Sequence, residues 1–164
     1  MSATDVLLAN NAAFAQSFEP ADLVAAPAKK VVVLACMDAR LDPARFLGLD
    51  DGDAHVIRNA GGAATSDAIR SIVISQRLLG TEEIMLVHHT GCGMQTFTDD
   101  ALKDAIADET GIRPDFSFET FSNVEQDVRQ TAARLMASPF VPHKNIRGFV
   151  YLVETGELRE VGLS

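Results

Sequence analysis

Val31 to Ala35 form an unbroken run of branched or small apolar residues, VVVLA. Such a run reads as a central strand buried on both faces of a parallel sheet. Directly after it the chain switches to Cys36, Asp38 and Arg40: a thiol, a carboxylate and a guanidinium. A second apolar run, Ile84 to Val87, ends the same way, in His88-His89-Thr90-Gly91-Cys92-Gly93. Open α/β folds place their ligands at the carboxyl ends of parallel strands. Two strands that each deliver metal-type donors at that end constrain the chain more tightly than any other feature.

The remaining pattern agrees with a single α/β domain. The chain has 164 residues, 47% of them hydrophobic, enough for one sizeable core and too apolar for a disordered chain. Residues 1 to 18 suggest an amphipathic helix opened by Ser2 or Thr4, with Ala3, Leu7, Phe14 and Phe18 near one face and Asn10-Asn11 interrupting it. Pro20 to Lys30 reads as a linker, so residues 1–30 form a helical arm outside the alternating pattern, able to pack on the main domain or on a partner chain. Asp42, Pro43 and Gly48 bracket a short helix in the order N-cap, first helical position and terminator. His55 to Arg58 reads as a short strand, closed by Asn59-Ala60-Gly61-Gly62. Ser66 is expected to cap a helix over Asp67 to Leu79, which Gly80 ends. Glu83 to His88 is the next strand. Thr98 caps a helix ended by Gly111, and Ser122 with Glu125 is expected to form a capping box for a helix reaching about Met136. Phe149 to Val153 reads as a strand, and Leu158 to Val161 returns antiparallel after the turn at Glu154–Glu157. The expected fold is α/β: about four parallel strands plus one antiparallel edge strand, flanked by helices.

Composition narrows the function. A formal net charge of −9 with scattered Lys and Arg argues against nucleic acid or an anionic membrane as partner. No apolar run approaches the roughly 20 residues of a membrane span. The first 18 residues carry neither the basic nor the apolar region of a signal peptide, so the expectation is a cytosolic protein. In a reducing compartment the two cysteines, Cys36 and Cys92, favour metal or catalytic roles over a disulfide.

If the two ligand-bearing strands are neighbours, Cys36, His89 and Cys92 converge in the crevice between them. Two thiolates and an imidazole suit zinc, and three protein ligands with a free fourth position is the catalytic pattern. The alternative is a pair of buried structural thiols beside an unrelated histidine. Two thiolates cancel the zinc charge, so the metal acidifies water less than an all-histidine site would. Asp38 can then accept the hydrogen of zinc-bound hydroxide while Arg40 holds it ionised and oriented. Asp38 could instead swing onto the fourth position, or the pair could be an ordinary surface contact or helix cap. His88 points away from His89 by strand alternation and is read as supporting or core. His55 and His143 are read as structural or solvated, and Phe116, Phe118 and Phe121 as packing against a neighbour.

Cys36-x-Asp38-x-Arg40 followed by His89-x-x-Cys92 resembles the β-class carbonic anhydrases. His55-Val-Ile-Arg-Asn-Ala-Gly61 and Ser71–Leu79 are similar to that family too, and the short chain is similar to its compact bacterial, mycobacterial-type members. The resemblance implies a Rossmann-like sheet and one zinc per chain on Cys36, His89 and Cys92, with Asp38 and Arg40 as a catalytic dyad. It also implies a domain-exchanging N-terminal helix, a homodimer or homotetramer, and zinc-bound hydroxide attacking CO2 to give bicarbonate. Backbone at Gly61 and Gly62 is expected to line the substrate pocket, unless the pair is an ordinary turn. Val56, Ile57 and Ala60, with residues of a partner chain, are expected to add an apolar wall. One departure stands out: relatives of the compact type often carry an acidic residue where this chain has Gly91. The less polar rim could slow proton export or favour carbonyl sulfide or carbon disulfide, which some enzymes resembling this family hydrolyse at the same metal site. The third possibility is a non-catalytic zinc-binding or thiol-sensing domain with Asp38 fixed on the metal.

Overall fold

The computed structural model describes residues 1–19 and 22–163. Its centre is one five-stranded sheet made of β1 (Val31–Cys36), β2 (Ala54–Asn59), β3 (Glu83–His89), β4 (Asn145–Tyr151) and β5 (Leu158–Val161), in the spatial order β2-β1-β3-β4-β5. β1 pairs in parallel with β2 and β3, and β3 pairs in parallel with β4. β5 closes the edge antiparallel to β4. The helices are α1 (Ala3–Ser17), α2 (Pro43–Leu47), α3 (Ser66–Arg77), α4 (Asp99–Thr110) and α5 (Val124–Ala137). The expected order of elements is therefore the observed one.

Two apolar layers explain why β1 is continuous in hydrophobic residues. On one face Val32 and Leu34 pack with Ala68 and Ile72 of α3 and with Ala132 and Leu135 of α5. On the other, Val33 and Ala35 pack with Val87, Phe46, Leu47 and Tyr151. A strand covered on both sides has no solvent face to alternate. Each fully buried aliphatic side chain here contributes roughly 1.5–3 kcal/mol.

Several boundaries differ from the sequence reading, each for a local reason. The cap of α3 is Thr65, whose hydroxyl accepts from the Ala68 amide at 3.3 Å, while Ser66 is the first helical residue. That helix ends at Arg77, short of Leu79. The cap of α5 is Asn123, which accepts from the Gln126 amide at 2.9 Å, so Ser122 and Glu125 form no capping box. In both places two capping residue types stand side by side, and a one-residue slip separates them. β4 starts at Asn145, four residues before the expected Phe149, and stops at Tyr151. Asn and Gly are poor strand formers. Here Arg147 is held across the edge by Glu160 at 2.8 Å, and Gly148 leaves room for Val128 of α5.

α1 opens with a capping box between Ser2 and Asp5, and none of its residues is buried. Phe14 and Phe18 pack against each other with tilted rings, their centroids 5.5 Å apart. The expected linker begins at Pro20, which lies outside the described residues. Its second half is anchored, because the Ala28 and Lys29 amides donate to the carbonyls of Gly52 and Asp53. Among the described residues no helix is long and apolar enough to cross a membrane.

Candidate metal centre

β1 and β3 are direct neighbours, paired from Val31–Glu83 to Ala35–Val87, so their carboxyl ends finish side by side at the middle of the sheet. Cys36 is the last residue of β1, and His89 is the last of β3. The turn after β3 brings Cys92 back beside them. Donor atoms of Cys36, His89 and Cys92 all lie within 4.8 Å of one another, and all three residues are buried. The two sulfurs are 4.0 Å apart, and both thiols are free.

The donor set fits zinc. His89 Nδ1 lies 2.9 Å from the Thr90 carbonyl oxygen. A carbonyl can only accept, so Nδ1 carries a proton, and in the neutral ring the lone pair falls on Nε2. That Nε2 is buried without a hydrogen-bond partner. Backbone hydrogen bonding at one nitrogen with the other left free is how metal-binding imidazoles are oriented. The thiols tell the same story. Contact with Cys92 holds the Cys36 thiol below the ordinary thiol range, whereas the same contact, with burial, pushes Cys92 above it. Tetrahedral zinc with Zn–S bonds of about 2.3 Å separates its sulfurs by about 3.8 Å, close to the observed spacing.

Asp38 faces this cluster, with Oδ2 3.7 Å from His89 Nε2. Arg40 grips it three times: its amide and Nε donate to Oδ1, each at 2.9 Å, and Nη2 donates to Oδ2 at 2.7 Å. Those Arg40 bonds hold the Asp38 carboxyl far below the usual carboxylate range. Nη2 also donates to the Gly91 carbonyl at 2.9 Å, tying the loop after β1 to the loop after β3. Gly91 has φ +60°, a backbone state that most side chains avoid.

The crevice above the cluster has a volume of about 290 Å³. Besides Cys36, Asp38 and Cys92, its walls are Met37, Ala60, Gly61, Gly93, Met94 and Phe97. Gly61 therefore lines the crevice. Gly62 lies behind it, buried against β1. A Cβ there would meet the Cys36 nitrogen at 3.1 Å and the Ala35 carbonyl carbon at 3.2 Å, and φ is +74°. Of the expected apolar wall, Ala60 is in place, while Val56 is exposed and Ile57 packs against the core. Met37, Met94 and Phe97 had no marker in the sequence, since apolar residues in loops carry no period. Phe121, expected to pack against a neighbour, packs near Gly61 and Met94 of its own chain. Arg58 was also missed; its side chain donates to the carbonyls of Cys36 and Asp38. His88 is buried with Nδ1 2.9 Å from Asp127 Oδ2, close but not aligned as a hydrogen bond, and it is no part of the cluster. His55 is structural, bonded to Ser75 at 2.8 Å.

Comparison with known proteins bears on the same residues. The carbonic anhydrase family profile matches residues 31–158. Beta-carbonic anhydrase 1 of Mycobacterium tuberculosis is 56% identical over 162 residues, covering 98% of this chain and 99% of that protein. A carbon disulfide hydrolase of Acidithiobacillus thiooxidans is 39% identical over 152 residues, covering 80% of this chain and 76% of the relative. Among solved structures, the carbonic anhydrase of Streptococcus mutans superposes with a TM-score of 0.93 at 42% identity, over 99% of both chains. A likeness this complete, running through both ligand-bearing strands at such identity, makes the chain a member of the β-carbonic anhydrase family.

Proposed function

We propose that the chain is a zinc-dependent carbonic anhydrase, hydrating CO2 reversibly to bicarbonate and a proton. The observation that carries this reading is the free, buried Nε2 of His89, aimed at two sulfurs beside an Arg-held carboxylate at the floor of an apolar crevice. Cys36, His89 and Cys92 would hold one zinc per chain. Zinc bound by three protein atoms keeps a fourth position for water and lowers the pKa of that water.

The chain's own residues supply the rest. Asp38 accepts a hydrogen from water in the crevice, which turns the oxygen lone pair towards the incoming carbon. Arg40 keeps Asp38 ionised and, with both carboxylate oxygens engaged, keeps it from closing over the metal position. Ala60, Gly61, Met94 and Phe97 offer a nonpolar gas an apolar wall, with the Gly61 backbone close to the substrate. The new C–O bond gives bicarbonate, and the proton leaves to buffer. Stopped-flow CO2 hydration, with zinc measured on the same sample, tests this: one zinc per chain and fast hydration are expected. One zinc per chain with no hydration across neutral pH would instead support a non-catalytic zinc domain.

The apolar crevice and the uncharged Gly91 favour one second reading, hydrolysis of carbonyl sulfide or carbon disulfide at the same metal. Fast sulfide release with negligible CO2 turnover would establish it over the first.

The reading extends to assembly and location. Within the N-terminal arm of the single domain, α1 packs on a second copy, in a dimer or tetramer. Its support is that α1 exposes Leu7, Leu8 and Phe14, with Phe18 exposed at its C-cap, and buries nothing on its own chain. The cytoplasm suits two thiols that must stay reduced. The acidic balance argues against nucleic acid or membrane as partner.

A further inference from the structure

β1 stops donating and accepting ladder hydrogen bonds at the Met37 amide, which reaches the Asn59 carbonyl at 2.8 Å. The next stretch, Met37 to Arg40, carries Asp38 but has no strand beside it. Arg58 of β2, one residue before the partner of Cys36 in the ladder, turns its side chain over this end of the sheet. Its Nε donates to the Cys36 carbonyl at 3.1 Å, and its Nη2 donates to the Asp38 carbonyl at 2.7 Å. Among the described residues no carboxylate lies within ion-pair distance of Arg58. Its guanidinium therefore spends two donors on the backbone that carries one sulfur of the cluster and the carboxylate above it. A planar fork can span two carbonyls in a fixed geometry, whereas a lysine ammonium cannot reproduce that span.

From this geometry we infer that Arg58 is a positioning residue of the metal centre: it extends the sheet past the end of β1 and fixes the Cys36–Asp38 segment from the backbone side, as Arg40 fixes Asp38 from the side-chain side. The inference rests on the zinc reading above and adds a residue to it. Arg58 touches neither the donor atoms nor the substrate space. Its loss loosens where Cys36 Sγ and the Asp38 carboxylate sit, and leaves the apolar walls unchanged.

The experiment uses zinc-loaded wild type, Arg58→Ala and Arg58→Lys. Release of zinc to a chromogenic chelator is followed without substrate, and kcat and KM for CO2 are measured on the same preparations. Arg58→Ala is expected to release zinc roughly tenfold faster and to lose roughly tenfold in kcat, with KM changed less than about twofold. Arg58→Lys, which keeps the charge and one of the two bonds, falls between them; it carries the test alone if the alanine variant does not fold. A structural role without positioning would lower the melting temperature and leave kcat and zinc release at wild-type values. That result overturns the inference, as does a wild-type chain that takes up no zinc. Zinc release is read with no gas present, so a chain inert towards CO2 rejects the catalytic reading while the chelator still decides the role of Arg58.

Discussion

Arg40 and Asp38 form a forked ion pair in which Nη2 and Oδ2 stand 2.7 Å apart and Nε and Oδ1 2.9 Å apart. The same Nη2 crosses to the Gly91 carbonyl. One side chain thus sets the charge and direction of the carboxylate and the distance between the two ligand-bearing loops. Charge-assisted, two-point contacts of this kind are among the stronger polar interactions in proteins.

Arg40→Ala is expected to lower CO2 hydration roughly 10–100-fold, as loss of an orienting partner does at metal sites. The loss deepens in acid. Arg40 holds the Asp38 carboxyl below its ordinary value, so in the wild type Asp38 stays ionised through the mildly acidic range. Without Arg40 that value rises towards the ordinary aspartate value of about 3.9, and Asp38 begins to protonate as pH falls towards it. Rate profiles of both proteins from neutral pH down to about pH 4 check this. Unchanged activity would remove the pair from the mechanism.

Cys36→Ser should lose zinc and, with it, the dependence of stability on zinc. A cation joining the ends of β1 and β3 stabilises the folded state only while it binds there. Thermal melts with and without added zinc should diverge for the wild type and coincide for the variant. Metal analysis should fall from one per chain towards none.

Much of this was legible beforehand. The buried run of β1, the donors at both strand ends and the antiparallel edge strand all follow from local residue type. Of the crevice walls only Ala60 and Gly61 were legible, because Met37, Met94 and Phe97 come from loops whose meeting depends on tertiary folding. Arg58 could be placed on a strand, but not over its neighbour, since a one-dimensional pattern does not say where a long side chain ends. β4 was misread because its Asn-Ile-Arg-Gly opening suits a strand only next to Glu160 and Val128.

Gly62→Ala should destabilise the fold by about 1–3 kcal/mol, from a left-handed backbone position and from crowding in a packed interior. The added methyl would press on the Cys36 amide and on His88, at 3.1 and 3.3 Å. Urea unfolding measures the loss, and zinc release should quicken with it. A variant as stable as the wild type would show that β1 can yield at its last residue.

Asp99→Asn should loosen residues 112–121. Asp99 accepts from the Ser117 hydroxyl, the Phe118 amide, and the amide and hydroxyl of Thr120. Burial works against its charge, but these bonds outweigh it and hold the carboxyl at about 2. A depressed carboxyl stabilises above its unfolded value of about 3.9 and withdraws that stability as pH falls through the folded value. The variant should therefore be less stable by about 1–3 kcal/mol near neutrality, with the gap shrinking in acid. Denaturant melts at neutral and strongly acidic pH check the sign.

Two of the three donors, Cys36 and His89, end adjacent strands in the middle of the sheet, whose separation of about 4.8 Å is a property of peptide hydrogen bonding rather than of any side chain. The reactive centre is therefore set by the backbone, while the side chains roofing it come from outside the strands. Selection on a lineage built this way can exchange one small triatomic molecule for another by resurfacing positions such as Met37, Met94 and Phe97, with no need to reinvent the ion's seat.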